Sequence, residues 1–261
     1  METLRLFDDV SREHKGPRKF FEGDFEYLNR CGRKECEEIR NRLEDWFVRF
    51  PEEGKKELRA RFRSEGGFDS AFFELYIHEL LIRSGFTVEY HPKIKGSSKR
   101  PDFKVFKDGE PVFYVEASVC DGLTIKNSVE KIKNRILEYL NDFDFGDFYL
   151  KMYFESMTEY QPSLNKIKAF LKRKTSCLNL DSLKKKHVMD WPVWRWEDRI
   201  SGWKIVFSPI PIKETAKRRK KRRTVGAHSP GVFYPEYSKK IKKKIEHKKA
   251  SYYNISNIPY L

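Results

Sequence analysis

The chain has 261 residues, of which 39% are hydrophobic, 15% aromatic and 36% charged. This aromatic content excludes a disordered, solvating polymer and supports a packed core. The sequence shows neither an apolar leader nor an apolar run of membrane-spanning length, and its four cysteines form no CxxC pair. We therefore expect a cytoplasmic protein with no membrane partner, no disulfide framework and no four-ligand zinc site.

The net charge of +15 is unevenly distributed along the chain. Residues 211–249 contain 15 Lys or Arg residues against three acids, so most of the excess positive charge lies near the C-terminus. The densest run, KRRKKRR, consists of Lys217, Arg218, Arg219, Lys220, Lys221, Arg222 and Arg223. Because such runs bind polyanions through counterion release, we expect these seven residues to bind nucleic acid. The alternatives are a solvated tail and a nuclear-import signal.

The predicted elements alternate between helices and strands. Apolar side chains at helical spacing over residues 33–64 predict two helices that meet at Pro51. The helix over residues 68–85 is apolar almost all round, which is typical of a buried helix. Further along the chain we predict strands at 86–94, 101–106 and 111–119, a helix at 127–143, a strand at 148–156, a helix at 163–180 and a strand pair within 191–212.

This order of elements indicates an α/β sandwich with a mixed sheet. We divide the chain into an N-terminal helical segment (1–67), a core with a Trp-rich strand extension (68–212) and a basic C-terminal region (213–261). The N-terminal segment is interpreted as an appendage without chemistry. The last residues resemble the start of an apolar strand, from which we expect that the chain is truncated or that its natural reading frame continues.

Two acids, Asp102 and Glu116, interrupt an otherwise apolar strand pair. A desolvated carboxylate is costly unless it is compensated, so either solvent at the strand ends or a divalent cation must explain them. Because side chains alternate along a strand, the turn decides whether the two acids share a face. A three-residue loop, Lys107–Gly109, places them on one face, whereas a two-residue Asp108-Gly109 turn places them on opposite faces. We expect the three-residue loop.

A third acid, Glu74, lies on the buried helix, four residues before His78. A lone Glu in such a helix is more often paired or at the edge of a pocket than catalytic. His78 is interpreted as a core histidine, with a role as a partner of Glu74 as the alternative.

Four tryptophans crowd the strand pair near residue 200. They could stack on nucleobases, but Trp at alternating positions, such as Trp194 and Trp196, more often forms one packed sheet face.

The order Glu74, then Pro101-Asp102, then Glu116-Ala117-Ser118, resembles the PD-(D/E)XK nuclease superfamily. The match covers residues 68–156. The resemblance implies a restriction-endonuclease-like fold, a three-layer αβββαβ core, here with additional N-terminal helices and a basic C-terminal region. It implies that Asp102 and Glu116 bind Mg²⁺ or Mn²⁺ and that Glu74 is an accessory metal-binding acid.

The chain departs from that pattern at Ser118, where the superfamily has a lysine that orients the attacking water. A serine hydroxyl can position water but supplies no positive charge. Some superfamily members carry the lysine on the following helix, where Lys126, Lys131 and Lys133 are candidates, and we select Lys131. Each of these lysines is more often simply solvated.

Three functions therefore stay open. The first is a metal-dependent nuclease that cuts DNA or RNA, with Glu74, Asp102, Glu116, Ser118 and Lys131 as its catalytic residues and, by analogy alone, a role in restriction or defence. The second is a catalytically inactive nucleic-acid-binding protein with the same fold. The third is an interaction protein whose basic tail binds an acidic partner. A homodimer would suit cleavage of both strands of a duplex.

Overall fold

The computed structural model describes residues 4–120, 127–212, 223–227, 237–248 and 258–261. The protein belongs to the α/β class, as the sequence predicts, and its chain divides into two compact units. The described residues of the first unit are 4–15, 23–120, 237–248 and 258–261, and those of the second are 16–22, 127–212 and 223–227. Within these ranges, no helix combines the length and apolar character needed to cross a bilayer.

The elements of the first unit begin at the N-terminus and end near the C-terminus. They are α1 (Asp24–Arg30), α2 (Lys34–Arg49), α3 (Glu52–Arg63), α4 (Phe68–Arg83), β1 (Thr87–Tyr90), β2 (Phe103–Lys107), β3 (Glu110–Val115) and, after the second unit, α8 (Tyr237–His247). The elements of the second unit are α5 (Asn127–Asn141), β4 (Phe148–Ser156), α6 (Leu164–Ser176), α7 (Leu180–Lys184), the 3₁₀ helix Val188–Asp190, β5 (Trp194–Asp198), β6 (Trp203–Pro211) and β7 (Val225–Ala227).

The core of the first unit joins the N-terminal helices to the β1-β2-β3 sheet. Phe47 of α2, Phe62 of α3, Leu75 of α4 and Phe103 of β2 belong to one cluster, and none of them exposes any surface. Burying side chains of this size is the main stabilising contribution to the unit. Helices α2 and α3, which the sequence suggests are an appendage, therefore share a core with the helix and sheet that carry the candidate acids.

The turn between β2 and β3 corrects the prediction of a three-residue loop. Lys107 pairs with Glu110, so only Asp108 and Gly109 connect the strands. Both turn residues have positive φ, 53° and 85°, as in a type I′ turn. Asp followed by Gly is favoured in this turn because both tolerate the left-handed region.

The strands that the sequence places in one mixed sheet are divided between two sheets. Strands β1, β2 and β3 form an antiparallel sheet, whereas β4 lies in a mixed sheet of order β5-β6-β4-β7. The outer edge of β3 is instead paired with the last residues of the chain. The Tyr114 N–H donates to the Pro259 carbonyl at 2.8 Å, and the Leu261 N–H donates to the Tyr114 carbonyl at the same distance. This parallel pairing occupies the edge at which a βαβ crossover would have placed β4.

The second unit has its own core, to which the tryptophans belong. Trp194 and Trp196 are each 8% exposed and Trp203 is fully buried, all within the cluster packed on the four-stranded sheet. The interpretation of alternating Trp residues as one packed sheet face is confirmed. These three rings are therefore structural rather than a surface on which nucleobases could stack.

Candidate active site

The register of β2 and β3 places Asp102 opposite Glu116, although the turn between the strands is short. Phe103 pairs with Val115, and continuing the ladder by one position pairs Asp102 with Glu116. The register shifts between Val105 and Phe106 because Val112 has no partner on β2. This bulge adds one residue to β3 and reverses the parity that the two-residue turn would otherwise impose. The two acids are brought together as predicted, but by a bulge rather than by a longer loop.

Neither acid is explained by exposure at a strand end. Asp102 lies just before β2 and Glu116 just after β3, yet their side chains are only 14% and 10% exposed. The Ala117 N–H donates to Asp102 Oδ2 at 2.6 Å, which holds the aspartate against the end of β3. Carboxylates this shielded from water need compensating partners, and each has one.

His91 is a further partner of Asp102. Its Nε2 lies 3.6 Å from Asp102 Oδ1, and its backbone N–H donates to the Asp102 carbonyl at 3.0 Å. The interaction with Asp102 raises the pKa of His91 above its ordinary value. His91 also has a φ of 45°, a strained conformation for a residue with a Cβ, and its ring stacks on Tyr90. The end of β1 is therefore fixed against Asp102.

Glu74 is buried on α4 and is held by an arginine of α3. Its side chain is 3% exposed, and Arg61 Nη2 donates to Glu74 Oε2 at 2.5 Å. Burial and the nearby charge of Asp102 raise the pKa of Glu74, against the opposite effect of Arg61. In the part of the chain that the structure describes, Glu74 Oε1 has no hydrogen-bond partner. A buried carboxylate oxygen without a partner is costly, so a ligand at this position is physically reasonable.

Glu116 is paired with Lys248, the residue that follows α8. One turn earlier, Lys244 donates to the Val119 carbonyl beyond the end of β3. The Glu116 N–H donates to the Leu261 carbonyl at 3.0 Å, so the last residues of the chain also contact this acid. The C-terminal part of the first unit is therefore attached to the strand that carries Glu116.

The three acids line one cleft of about 690 Å³ together with basic side chains. The acids are Glu74, Asp102 and Glu116, the basic residues are Arg61, Lys243, Lys244, His247 and Lys248, and the exposed hydroxyl of Ser118 lies on the same wall. The cleft therefore combines hard oxygen donors with cations that can hold a phosphate backbone.

The donor set fits a divalent ion held by two carboxylates better than one held by a full protein cage. Within the described ranges, no group of three Asp, Glu, His or Cys side chains is arranged to hold a metal ion by itself. Mg²⁺ commonly uses only one or two protein carboxylates and keeps several waters. Asp102 and Glu116 supply two such carboxylates, and Glu74, whose Oε1 has no hydrogen-bond partner within the described residues, lines the same cleft.

The described residues among the other predicted site residues, Lys131 and Arg223, do not line the cleft. Lys131 is an exposed residue of α5 in the second unit, where the neighbouring Lys133 donates to Glu130 at 2.8 Å. Lys126 and the run 217–222 lie outside the described residues. Arg223 is described, and its guanidinium lies 4.2 Å from the centre of the Phe20 ring and donates to the Arg18 carbonyl. Arg223 is therefore engaged within the second unit.

Sequence reasoning misses Arg61 and Lys248 as members of the cleft, and His91 as a partner of Asp102. Arg61 lies in the segment interpreted as an appendage, and only the packing of α3 on α4 brings it to Glu74. His91 has no ligand spacing in the sequence and reads as a strand-end residue. Lys248 belongs to a lysine-rich stretch that indicates only a general affinity for polyanions. Its spacing of four from Lys244, on one helix face, is the available signal.

Comparisons of this chain with family models, with curated proteins and with solved structures gave no match. The function is therefore inferred from the cleft itself.

Proposed function

We propose that the protein is a divalent-metal-dependent nuclease that hydrolyses phosphodiester bonds of DNA or RNA. The observation that supports this proposal most is the meeting of Asp102, Glu116 and Glu74 in one cleft with the lysines of α8. Acidic oxygens and ammonium groups in the same cleft suit a substrate that is itself an anion and whose reaction needs a cation.

Asp102 and Glu116 would hold the ion, and Glu74 Oε1 would accept a hydrogen bond from one of its waters. A bound divalent ion lowers the pKa of a coordinated water and polarises a phosphoryl oxygen. Mg²⁺ and Mn²⁺ both suit oxygen donors of this kind. The resemblance to the PD-(D/E)XK superfamily supports the same two ligands.

The remaining residues of the cleft would bind and orient the substrate. Lys243 and Lys244, which line the cleft, would hold backbone phosphates and so fix the position of the scissile bond without reading sequence. Arg61 orients the buried Glu74 carboxylate through its 2.5 Å hydrogen bond and opposes the rise in the pKa of Glu74 that burial causes. Ser118 lines the cleft just after β3, where its hydroxyl would hold a water.

A second function, nucleic-acid binding without catalysis, is favoured by one specific observation. Two of the three acids are already neutralised by cations of the protein, Glu74 by Arg61 and Glu116 by Lys248. In a protein without a bound metal, such cations compensate carboxylates that are shielded from water. Ser118, at the position where the superfamily that the sequence resembles has a lysine, also favours binding without catalysis.

Cleavage assays separate the two functions. Purified wild-type protein would be incubated with duplex DNA, single-stranded DNA and RNA in Mg²⁺, in Mn²⁺ and in chelator. We expect cleavage only with a divalent ion, and a loss of about 100-fold or more in rate for Asp102→Asn and for Glu116→Gln. Glu110→Gln, which removes an exposed carboxylate from the same strand, is the matched control and should cleave like wild type. Binding without cleavage under every condition would support the second function.

A further inference from the structure

The positive charge of Lys248 disfavours a bound dication and favours a bound anionic substrate. Its ammonium is paired with Glu116, whose side chain is 10% exposed, and it faces the cleft that we assign to a phosphate backbone. Glu116 is also the carboxylate that, with Asp102, would hold a divalent ion. The same ammonium therefore sits beside a carboxylate that a dication needs and beside the path of an anionic substrate.

A dication bound to Glu116 would weaken the hold of that carboxylate on Lys248. The two positive charges repel at short range, and in a shielded site this repulsion is stronger than in water. An ammonium released from Glu116 gains a charge-assisted hydrogen bond by pairing with another anion in the cleft. A phosphate oxygen is the anion that the proposed substrate supplies.

We propose that Lys248 exchanges partners: it pairs with Glu116 when no ion is bound, and with a substrate phosphate once a divalent ion binds Glu116. It follows that the ion and the polyanion bind cooperatively, each increasing the affinity for the other by the same factor. This inference rests on the proposed function, because it assumes that Glu116 is a metal ligand. It assigns Lys248 a positioning role that couples the two binding steps.

The placement of α8 supports this exchange. Lys244 and Lys248 lie four residues apart, hence on one side of the helix, and both line the cleft. Lys244 donates to the Val119 carbonyl, and the last residues of the chain pair with β3. The backbone near Lys248 is therefore anchored on both sides of the site. A rotation of the lysine side chain is enough to move its ammonium from the carboxylate to a phosphate.

Titration of Mn²⁺ by calorimetry, with and without a polyanion, tests the coupling without relying on activity. The polyanion would be a short DNA or RNA strand with phosphorothioate linkages, which resist hydrolysis. For wild type we expect the strand to tighten Mn²⁺ binding by about 10-fold. For Lys248→Gln we expect Mn²⁺ alone to bind several-fold more tightly than to wild type, because the competing ammonium is gone, and most of the enhancement by the strand to disappear.

Two variants control this experiment. Lys242→Gln removes an exposed lysine from α8 and should leave the Mn²⁺ titrations as in wild type. Lys248→Arg keeps the charge and should keep the coupling, which separates a charge effect from a disturbed fold. Equal Mn²⁺ affinity for wild type and Lys248→Gln, or an enhancement that survives this substitution, would overturn the exchange while leaving the metal site standing. No Mn²⁺ binding to wild type at all would overturn the proposed function itself.

Discussion

Arg61 donates to the Glu74 carboxylate at 2.5 Å and joins α3 to the buried side of α4. Because the Glu74 side chain is only 3% exposed, removing the arginine would take away the main compensation of its charge. Breaking a buried pair by deleting one partner is far more costly than replacing both. This pair is therefore a structural requirement of the cleft as well as a feature of its electrostatics.

Replacing Arg61 by Leu should destabilise the protein by about 3 kcal/mol at neutral pH, because Glu74 would remain buried without its cation. Adding Glu74→Gln to Arg61→Leu should recover much of that loss, since the charge is then absent. Urea unfolding of wild type, both single variants and the double variant measures the coupling between the two residues. A loss for the double variant equal to the sum of the two single losses would show that the pair contributes nothing.

His78 should make the protein less stable as the pH falls below 7. Burial lowers the pKa of His78 to about 4, whereas an unfolded chain binds the proton near pH 6.5. Below pH 6.5 the unfolded state therefore gains a proton that the folded state excludes, and stability falls until about pH 4. Between pH 7 and pH 5 this contribution amounts to about 2 kcal/mol. His78→Leu should show a smaller loss of unfolding free energy over that interval, and an unchanged loss would contradict the assignment.

The turn at Asp108 and Gly109 predicts an asymmetric response to substitution. Gly109→Ala should cost about 1 kcal/mol, because its φ of 85° disfavours a Cβ while no neighbouring atom would clash with one. Asp108→Asn should be nearly neutral, since Asn tolerates the left-handed region and Asn-Gly suits a type I′ turn. Urea unfolding measures both variants. Equal costs would be inconsistent with the two-residue turn.

The basic run at 217–222 should contribute to binding in a salt-dependent way. Neutralising Lys217, Arg218 and Arg219 together should weaken nucleic-acid binding and reduce the slope of log affinity against log salt, by about 0.9 for each phosphate of duplex DNA that the variant no longer neutralises. Arg223→Gln is the comparison, because that guanidinium is engaged by Phe20 and the Arg18 carbonyl, and it should change the slope little. Fluorescence anisotropy at several salt concentrations gives both slopes. Equal slopes for wild type and the triple variant would remove this run from the interface.

The local elements could be predicted from the sequence because each depends on neighbouring residues. Helix α4 and strand β4 lie close to their predicted positions, and the Asp108-Gly109 pair marks the turn. The meeting of Asp102 and Glu116 is predicted for the wrong reason. Nothing in the local sequence distinguishes a longer loop from a short turn followed by a bulge at Val112. Both arrangements leave one more residue between the acids without a cross-strand partner, and so both put the acids on one face.

The long-range parts of the site could not be predicted. Lys248 is 132 residues from Glu116 in sequence, and its contact depends on how α8 and the chain end pair with β3. The last residues also pair with the edge of β3, and β4 lies in the other sheet, so the single mixed sheet expected from the order of elements is not formed. Competition between two segments for one strand edge is decided by the whole fold rather than by local pattern.

The central claim is that Asp102 and Glu116 together bind a divalent ion, and Mn²⁺ binding measured by electron paramagnetic resonance tests it most directly. We expect Mn²⁺ binding by wild-type protein and by Glu110→Gln, and at least about 10-fold weaker binding by Asp102→Asn and by Glu116→Gln. Equal Mn²⁺ affinity in all four proteins, with their folds intact by circular dichroism, would contradict the claim.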